Sequence, residues 1–305
     1  KLTKDFPHNA IRYCLQTAKK TLDACDAVAQ GWNPGATWVR FHPGLTRAGS
    51  NREGYLYSIP DNLFQHITRQ PGDWLLLGNS PEAKLPPVYF VNHHRSHAAG
   101  AYFLSPFDEA AILTCDFRGE LECTTFVHGK DNALEVLQRD LLPHSLGMFY
   151  ATLTELLGYK PDNDEWKVMA LSSYSEKNNK YYHKLKELVQ LKDDGGFEID
   201  LTYFKEFVHE TPGAYTDKLV MLLGKDRKQN DKLESRHYEI AAAMQQITEE
   251  TLSHCLNWLQ RETGLVDLVV AGGLFMNSVF NGKIQQTTPY KNVYVSSCPD
   301  DSGLS

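Results

Sequence analysis

The sequence is poor in the features that mark membrane, secreted and nucleic-acid-binding chains. No apolar run approaches the roughly 20 residues that a bilayer-spanning helix needs, and no signal-peptide pattern opens the chain, so no membrane association is expected. Six cysteines (Cys14, Cys25, Cys115, Cys123, Cys255 and Cys298) are scattered through 305 residues without a CxxC pair. A chain of this length does not need disulfide staples. They therefore read as reduced, mostly buried thiols of a cytoplasmic protein, with Cys298 in the loop-like "SSCPDDSG" the one to watch. An excess of basic charge is also lacking. The 31 Lys and Arg against 38 Asp and Glu give a net charge of -7 and a pI of about 5.9, which offers no electrostatic footprint for nucleic acid.

What is present is ordinary core material. Hydrophobic residues make up 42% and charged residues 23%, as in soluble globular proteins, and the length points to two lobes. The chain starts at Lys1 within "KLTKDFPHNAIRYCL" and stops at "DDSGLS" as another element begins, so it is expected to be a piece of something longer.

Periodicity predicts the elements. "PHNAIRYCLQTAKKTL" places Ile11, Cys14, Leu15, Ala18 and Leu22 at helical spacing. "DAVAQGW" and "PVYFVN" read as strands, and residues 41 to 87 between them as loop-rich, with "IPDNLFQHITRQ" a candidate helix. Residues 109 to 140 read as a strand meander turning at "DFRGE" and "HGKDN". "SLGMFYATLTELLG" is a helix closed by Gly158. Residues 174 to 235 read as an inserted segment of polar helices and loops with solvated charge runs. A long helix follows, with Ile240, Met244, Ile247, Thr251, Cys255 and Trp258 on one stripe facing a core. A buried strand, Leu265 to Val270, then runs into "AGG" and a helix beginning near Phe275, and "NVYVSSCPDD" is a further strand.

Two of these places carry chemistry. "FVNHHRSHAAGAYFLS", residues 90 to 105, gathers three histidines within five positions. On a helix, His93 and His97 share a face, where two neutral imidazoles can grip one metal ion if a third ligand arrives from elsewhere. A helix start whose polar residues happen to be histidines remains the alternative. Glycines between a strand and a helix let backbone N–H groups approach a phosphate, although tight turns need glycine for geometry alone.

Several segments together resemble one family. "NHHRSHAAGAYFLSPFDEAAILTCDFRGE", "PHSLGMFYATLTELLGYKPDNDEWKVMALSSY", "LVVAGGLFMNSVFNGKI" and "CPDDSGLS" are similar, in order, to the motifs of the O-carbamoyltransferases, the group of the nodulation-factor and tobramycin carbamoyltransferases. The family is similar in turn to the tRNA threonylcarbamoyl-transfer protein. The resemblance implies an α/β, bilobal actin/sugar-kinase/Hsp70-like (ribonuclease H-like) fold, incomplete at both ends. Residues 1–107 would form a first lobe and 108–305 a second, without the family's YrdC-like C-terminal domain or its opening strand pair.

It also implies a chemistry. Carbamoyl phosphate and ATP, with Mg as its companion ion, would give carbamoyl-adenylate, from which the carbamoyl group passes to a hydroxyl of a small molecule or sugar. Iron would be bound by His93, His97 and Asp301, with zinc or manganese as alternatives. Asp116 would lie near the reacting groups and His94 would line the site. Gly272, Gly273, Asn277, Glu165 and Lys167 would hold the adenylate. From composition rather than resemblance, residues 31 to 60, rich in aromatic, arginine and glycine residues yet too irregular for a core, read as the lobe where the acceptor enters. Trp38, His42 and Arg47 would be its contacts, with an ordinary surface loop as the alternative. A homodimer is compatible with the pattern. The chain departs from the motifs at Phe117, at "ALSSYS" and at Asp300, which adds a carboxylate beside Asp301. The competing readings are a small-molecule kinase of the same fold and a non-catalytic binding module. A zinc hydrolase is disfavoured because no glutamate stands between His93 and His97.

Overall fold

The computed structural model describes residues 8–33, 86–205 and 213–304. In chain order, α1 (His8–Ala18) precedes β1 (Val28–Gln30), which pairs in parallel with β2 (Val88–Phe90). The histidine helix α2 (His93–Tyr102) leads into the meander β3 (Glu109–Cys115), β4 (Glu122–Lys130) and β5 (Ala133–Leu141). Then come α3 (Leu146–Leu156), α4 (Glu165–Leu171), α5 (Lys180–Lys186), the hairpin β6 (Val189–Leu191) and β7 (Phe197–Ile199), and α6 (Asp217–Leu223). The long α7 (Ser235–Thr263), β8 (Asp267–Ala271), the short α8 (Ser278–Asn281) and α9 (Ile284–Thr287), and β9 (Asn292–Val295) complete the order.

Five strands form one mixed sheet in the order β5-β4-β3-β8-β9, with β4 antiparallel to both neighbours and β3, β8 and β9 parallel. That order, with the second strand reversed, is the ribonuclease H-like arrangement expected for the second lobe. β3 is an almost unbroken apolar run because both of its faces are covered. Ala110 and Ile112 face α2, packing with Ala98, Ala101 and Tyr102, while the alternate residues Ala111, Leu113 and Cys115 face the larger core built on α3 and α7. α2 therefore rides on the five-stranded sheet, although it precedes that sheet's strands in the chain.

α3 starts where Ser145 accepts the Met148 N–H at 3.1 Å and ends before Gly158 at φ +77°. On α7 the stripe from Ile240 to Cys255 is buried, and Trp258 is set edge-on against Phe126. Each such fully buried side chain contributes roughly 1.5–3 kcal/mol.

Four expectations change. In α1, Ile11 and Leu15 are half-buried and Cys14 is exposed; only Leu22, beyond the helix, is buried from that stripe. Of the six cysteines, Cys115, Cys123 and Cys255 are buried, Cys14 and Cys298 are exposed and Cys25 is intermediate, and all are free. The segment of residues 174 to 235 is more than a solvated insertion: Tyr181, Tyr182, Leu185, Phe197, Ile199, Leu219 and Leu223 join the main core, and it contains the β6–β7 hairpin. Its apolar residues are too widely spaced by charges to show a period. After β8 the chain first makes a 3-10 turn, Gly273–Met276, and only then a helix. The candidate helix between residues 59 and 70 lies outside the described residues. Among the described residues, no helix is long and apolar enough to cross a membrane.

The hairpin also closes over Asp140 at the end of β5. Asp140 is buried with Oδ2 unpaired, beside a cavity of about 340 Å³ lined by Gln138, His144, Lys192, Asp194 and Glu198. Burial, helped by the nearby Asp194, pushes its pKa from the ordinary 3.8 up to about 7. Between these values the unfolded chain has released a proton that the folded chain keeps, so stability falls as pH rises through the window. Asp140→Asn should flatten that slope and raise stability above pH 7 by roughly 1–3 kcal/mol, read from thermal unfolding across a pH series. An unchanged slope would show that Asp140 is not its source.

Candidate metal centre

His93 opens α2 and His97 lies one turn on, so both rings leave the same face. Asp116 follows the last residue of β3. Asp301 opens a 3-10 turn, Asp301–Gly303, that packs against α2, where Gly100 lets the chain approach: a Cβ there would stand 3.1 Å from the Gly303 carbonyl oxygen. These three stretches bring four donor atoms within 4.8 Å of one another.

The triangle of His93 Nε2, His97 Nε2 and Asp116 Oδ2 has sides of 2.9, 3.0 and 3.1 Å. Asp301 Oδ1 stands 3.3 Å from His93 Nε2 and 3.4 Å from His97 Nε2. His93, His97 and Asp116 are buried, whereas the Asp301 side chain is 73% exposed, so the cluster is open on one side. On the far side of His93, Nδ1 lies 3.1 Å from the Gly31 carbonyl oxygen. An N–H there leaves the Nε2 lone pair facing the cluster. Asp116 Oδ1 accepts the backbone N–H groups of Phe117 at 2.7 Å and Gly273 at 3.0 Å.

Electrostatics agree with the geometry. Burial alone would lower the pKa of His93, but the bonds and charges of Asp116 and Asp301 outweigh it and lift the ring to about 10. His97 is raised by the same balance. Burial opposes ionising the two carboxyl groups, yet the imidazoles hold Asp301 at about 2 and Asp116 well below the usual range. Without an ion, the protonated imidazoles carry the positive charge that the two ionised carboxylates call for; a metal ion taking the Nε2 lone pairs of the neutral rings would supply that charge in their place. Both nitrogen and oxygen donors are present, and the chemistry of this set fits a divalent cation.

Against known proteins, a family model described as the carbamoyltransferase N-terminus matches residues 6–305. The chain belongs to that family. Among curated relatives it is 33% identical to an uncharacterized protein of Synechocystis sp., sll1178, covering 98% of this chain and 49% of that protein. It is 27% identical to the nodulation protein NolNO of Sinorhizobium fredii, covering 99% of this chain and 41% of the relative. The chain thus spans about half the length of the curated relatives it matches. Among solved structures it is similar, at 14% identity and a TM-score of 0.41, to an activator of 2-hydroxyisocaproyl-CoA dehydratase from Clostridium difficile, covering 74% of this chain and 66% of that one.

The other family positions are placed as follows. Asp116, expected near the reacting groups, sits within the donor cluster itself. His94 turns away: its Nδ1 meets Thr114 Oγ1 at 2.7 Å, and burial pushes its pKa down to about 3, leaving a neutral ring. Asp300 stays out of the cluster, with its carboxylate engaged by the Ser302 hydroxyl. Gly272 has φ +96°, and a Cβ there would lie 2.2 Å from the Cys115 carbonyl oxygen, so strand packing alone requires a glycine. Asn277 forms a reciprocal amide pair with Gln245, at 2.9 and 3.0 Å, and caps α8. Burial raises the pKa of the half-buried Glu165, and Lys167 bridges Asp164 at 2.8 Å. Trp38, His42 and Arg47 lie outside the described residues.

Sequence reading passed over Gln245 and Glu249. They join Tyr150, Asn277, Lys177 and Lys283 in a polar network along α7. Their signal was the polar break "QQITEE" in a core-facing helix.

The burial difference within the cluster separates its two carboxylates. Asp116→Asn should lower stability by roughly 3–5 kcal/mol, because it breaks a buried charged pair. Asp301→Asn should stay within about 1 kcal/mol as an exposed change. Thermal unfolding of both variants checks this, and equal losses would contradict it.

Proposed function

We propose that this chain is the carbamoyl-transferring part of an O-carbamoyltransferase. It would pass a carbamoyl group from carbamoyl-adenylate, made from carbamoyl phosphate and ATP, to a hydroxyl of a small molecule or sugar. The observation that carries this reading is the convergence of His93, His97, Asp116 and Asp301 on one point. The point lies at the C-terminal end of the parallel strands, where open α/β sheets bind their ligands.

The spacing supports a resident cation. With metal–ligand distances of about 2.1 Å, donors at right angles stand about 3.0 Å apart and tetrahedral donors about 3.4 Å apart. The triangle of 2.9, 3.0 and 3.1 Å is the size of an octahedral face. Two histidines and a carboxylate on such a face suit iron(II), with manganese or zinc as alternatives. A bound ion would act as a Lewis acid on a carbonyl or phosphate oxygen.

The chain's own residues prepare the rest. Transfer forms a bond between the acceptor oxygen and the carbamoyl carbon and breaks that carbon's bond to the phosphate oxygen of AMP. The hydroxyl proton passes to the departing phosphate or to solvent, so the hydroxyl must be held over the face of the carbonyl carbon. Asp301 is the open-side member of the cluster, with its side chain 73% exposed. It would orient the hydroxyl by accepting its hydrogen bond. The Gly273 N–H is already bound to Asp116, so it steadies that carboxylate rather than a phosphate. Lys167, 40% exposed on α4, can meet an incoming phosphate. A kinase of the same fold would have no use for the paired imidazoles, and a non-catalytic module would hold a cation there without transferring a carbamoyl group.

The test loads the protein with iron(II), manganese or zinc and supplies carbamoyl phosphate, ATP and a panel of hydroxyl acceptors. A parallel arm supplies carbamoyl-adenylate directly. Mass spectrometry should show acceptors gaining one carbamoyl group, and His97→Ala should reduce the yield by about 100-fold or more, beyond the loss typical of outer-shell changes. Phosphorylated acceptors would favour the kinase. Transfer undiminished in His97→Ala would sink the proposed role of the cluster.

A further inference from the structure

The turn that provides Asp116 also provides Glu120, and the chemistry above gives Glu120 no task. Its side chain is 1% exposed, and among the described residues no lysine or arginine reaches it. Both of its oxygens accept the His93 backbone N–H, at 3.1 and 3.0 Å, and Oε1 also accepts the N–H of Asn33. Asn92 stands at the N-cap position of α2, yet its side chain makes no capping bond. Glu120 does that work from another element, placing a carboxylate at the positive end of a ten-residue helix.

The geometry makes this more than a helix cap. The N–H it holds belongs to His93, the first helical residue and a member of the donor cluster. The turn runs directly beneath the helix: a Cβ on Gly119 would meet His94 Cδ2 at 2.7 Å and His93 Cβ at 3.3 Å. On the other side of His93, Gly31 holds Nδ1 and Trp32 packs edge-on, with ring centroids 5.3 Å apart. Through Asn33, Glu120 ties this strip to the same point. A tilt at the start of α2 would carry His93 Nε2 out of its triangle with Asp116 and His97.

We infer that Glu120 is a positioning residue of the metal centre: by accepting the first N–H of α2 it keeps His93 in register with Asp116, its neighbour in the same turn. The inference rests on the proposed metal site, so the test separates the two. Cobalt(II), whose visible bands report ligand geometry, is titrated into the wild-type protein, Glu120→Gln, Glu120→Ala and Asn179→Ala. Asn179 caps α5 by accepting the Tyr181 N–H at 2.9 Å and has no part in the centre, so its loss gauges a purely structural defect.

Glu120→Ala should bind cobalt about 10–100-fold more weakly, the range for residues that orient metal ligands, and Glu120→Gln roughly three- to tenfold more weakly with altered bands. Asn179→Ala should lower the melting temperature while leaving affinity and bands unchanged. If Glu120→Ala fails to fold, Glu120→Gln decides. Wild-type affinity and bands in Glu120→Gln, with only a lowered melting temperature, would overturn the positioning role and leave the metal site standing. A wild-type protein that binds no cobalt would overturn both.

Discussion

The carboxylate of Asp116 is where the fold and the site become one structure. Its Oδ1 takes the N–H groups of Phe117 and Gly273, which fixes the end of β3 against the end of β8. Its Oδ2 faces His93 and His97, which come from a helix on the opposite side of β3 from α7. A shorter side chain could not reach both, and a neutral amide would keep the backbone contacts while losing the charge that faces the imidazoles. The close passage of Gly272 over Cys115 is what brings the Gly273 N–H within reach. Sheet packing, turn geometry and the donor cluster therefore share one buried group.

Two buried aspartates show how surroundings decide the state of the same side chain. Asp140 and Asp116 stand at the same end of the sheet, on β5 and after β3, and both are 6% exposed. Asp140 has Lys192 nearby but also Asp194, and burial prevails, leaving its pKa at about 7. Asp116 has two imidazoles in contact, and their hydrogen bonds and charges outweigh burial and hold it well below the usual range. Asp140 also accepts hydrogen bonds, from Gln138 and the Phe197 backbone, but these are neutral donors; two imidazoles that can carry charge make the difference at Asp116.

Much of this was legible in the sequence. The i, i+4 spacing of His93 and His97 and the order of the motifs pointed to the family, and the meander and the long helix gave the sheet and its cover. Less legible was the role of Asp116. A sequence places an aspartate after a strand, but which way each oxygen faces depends on Gly273, far along the chain. Gly272 stands where the resemblance expects an adenylate contact, and its φ and the nearby Cys115 carbonyl give strand packing a need for glycine as well. Glu120 was hidden because a cap supplied by another element leaves no local pattern. The residues of the 174–235 segment that join the core were masked by the charges between them.

The bond from the Gly273 N–H to Asp116 spans 157 residues. Such a contact cannot form by local search, because closing so long a loop has an entropic cost that only the pairing of β3 with β8 offsets. His93, His97 and Asp116 lie close in sequence and can meet early. The backbone donor that holds Asp116 still reaches it only after α7 has been laid down and β8 has entered the sheet. The centre therefore depends on a long-range contact as well as local ones, and its geometry records whether β8 has paired with β3.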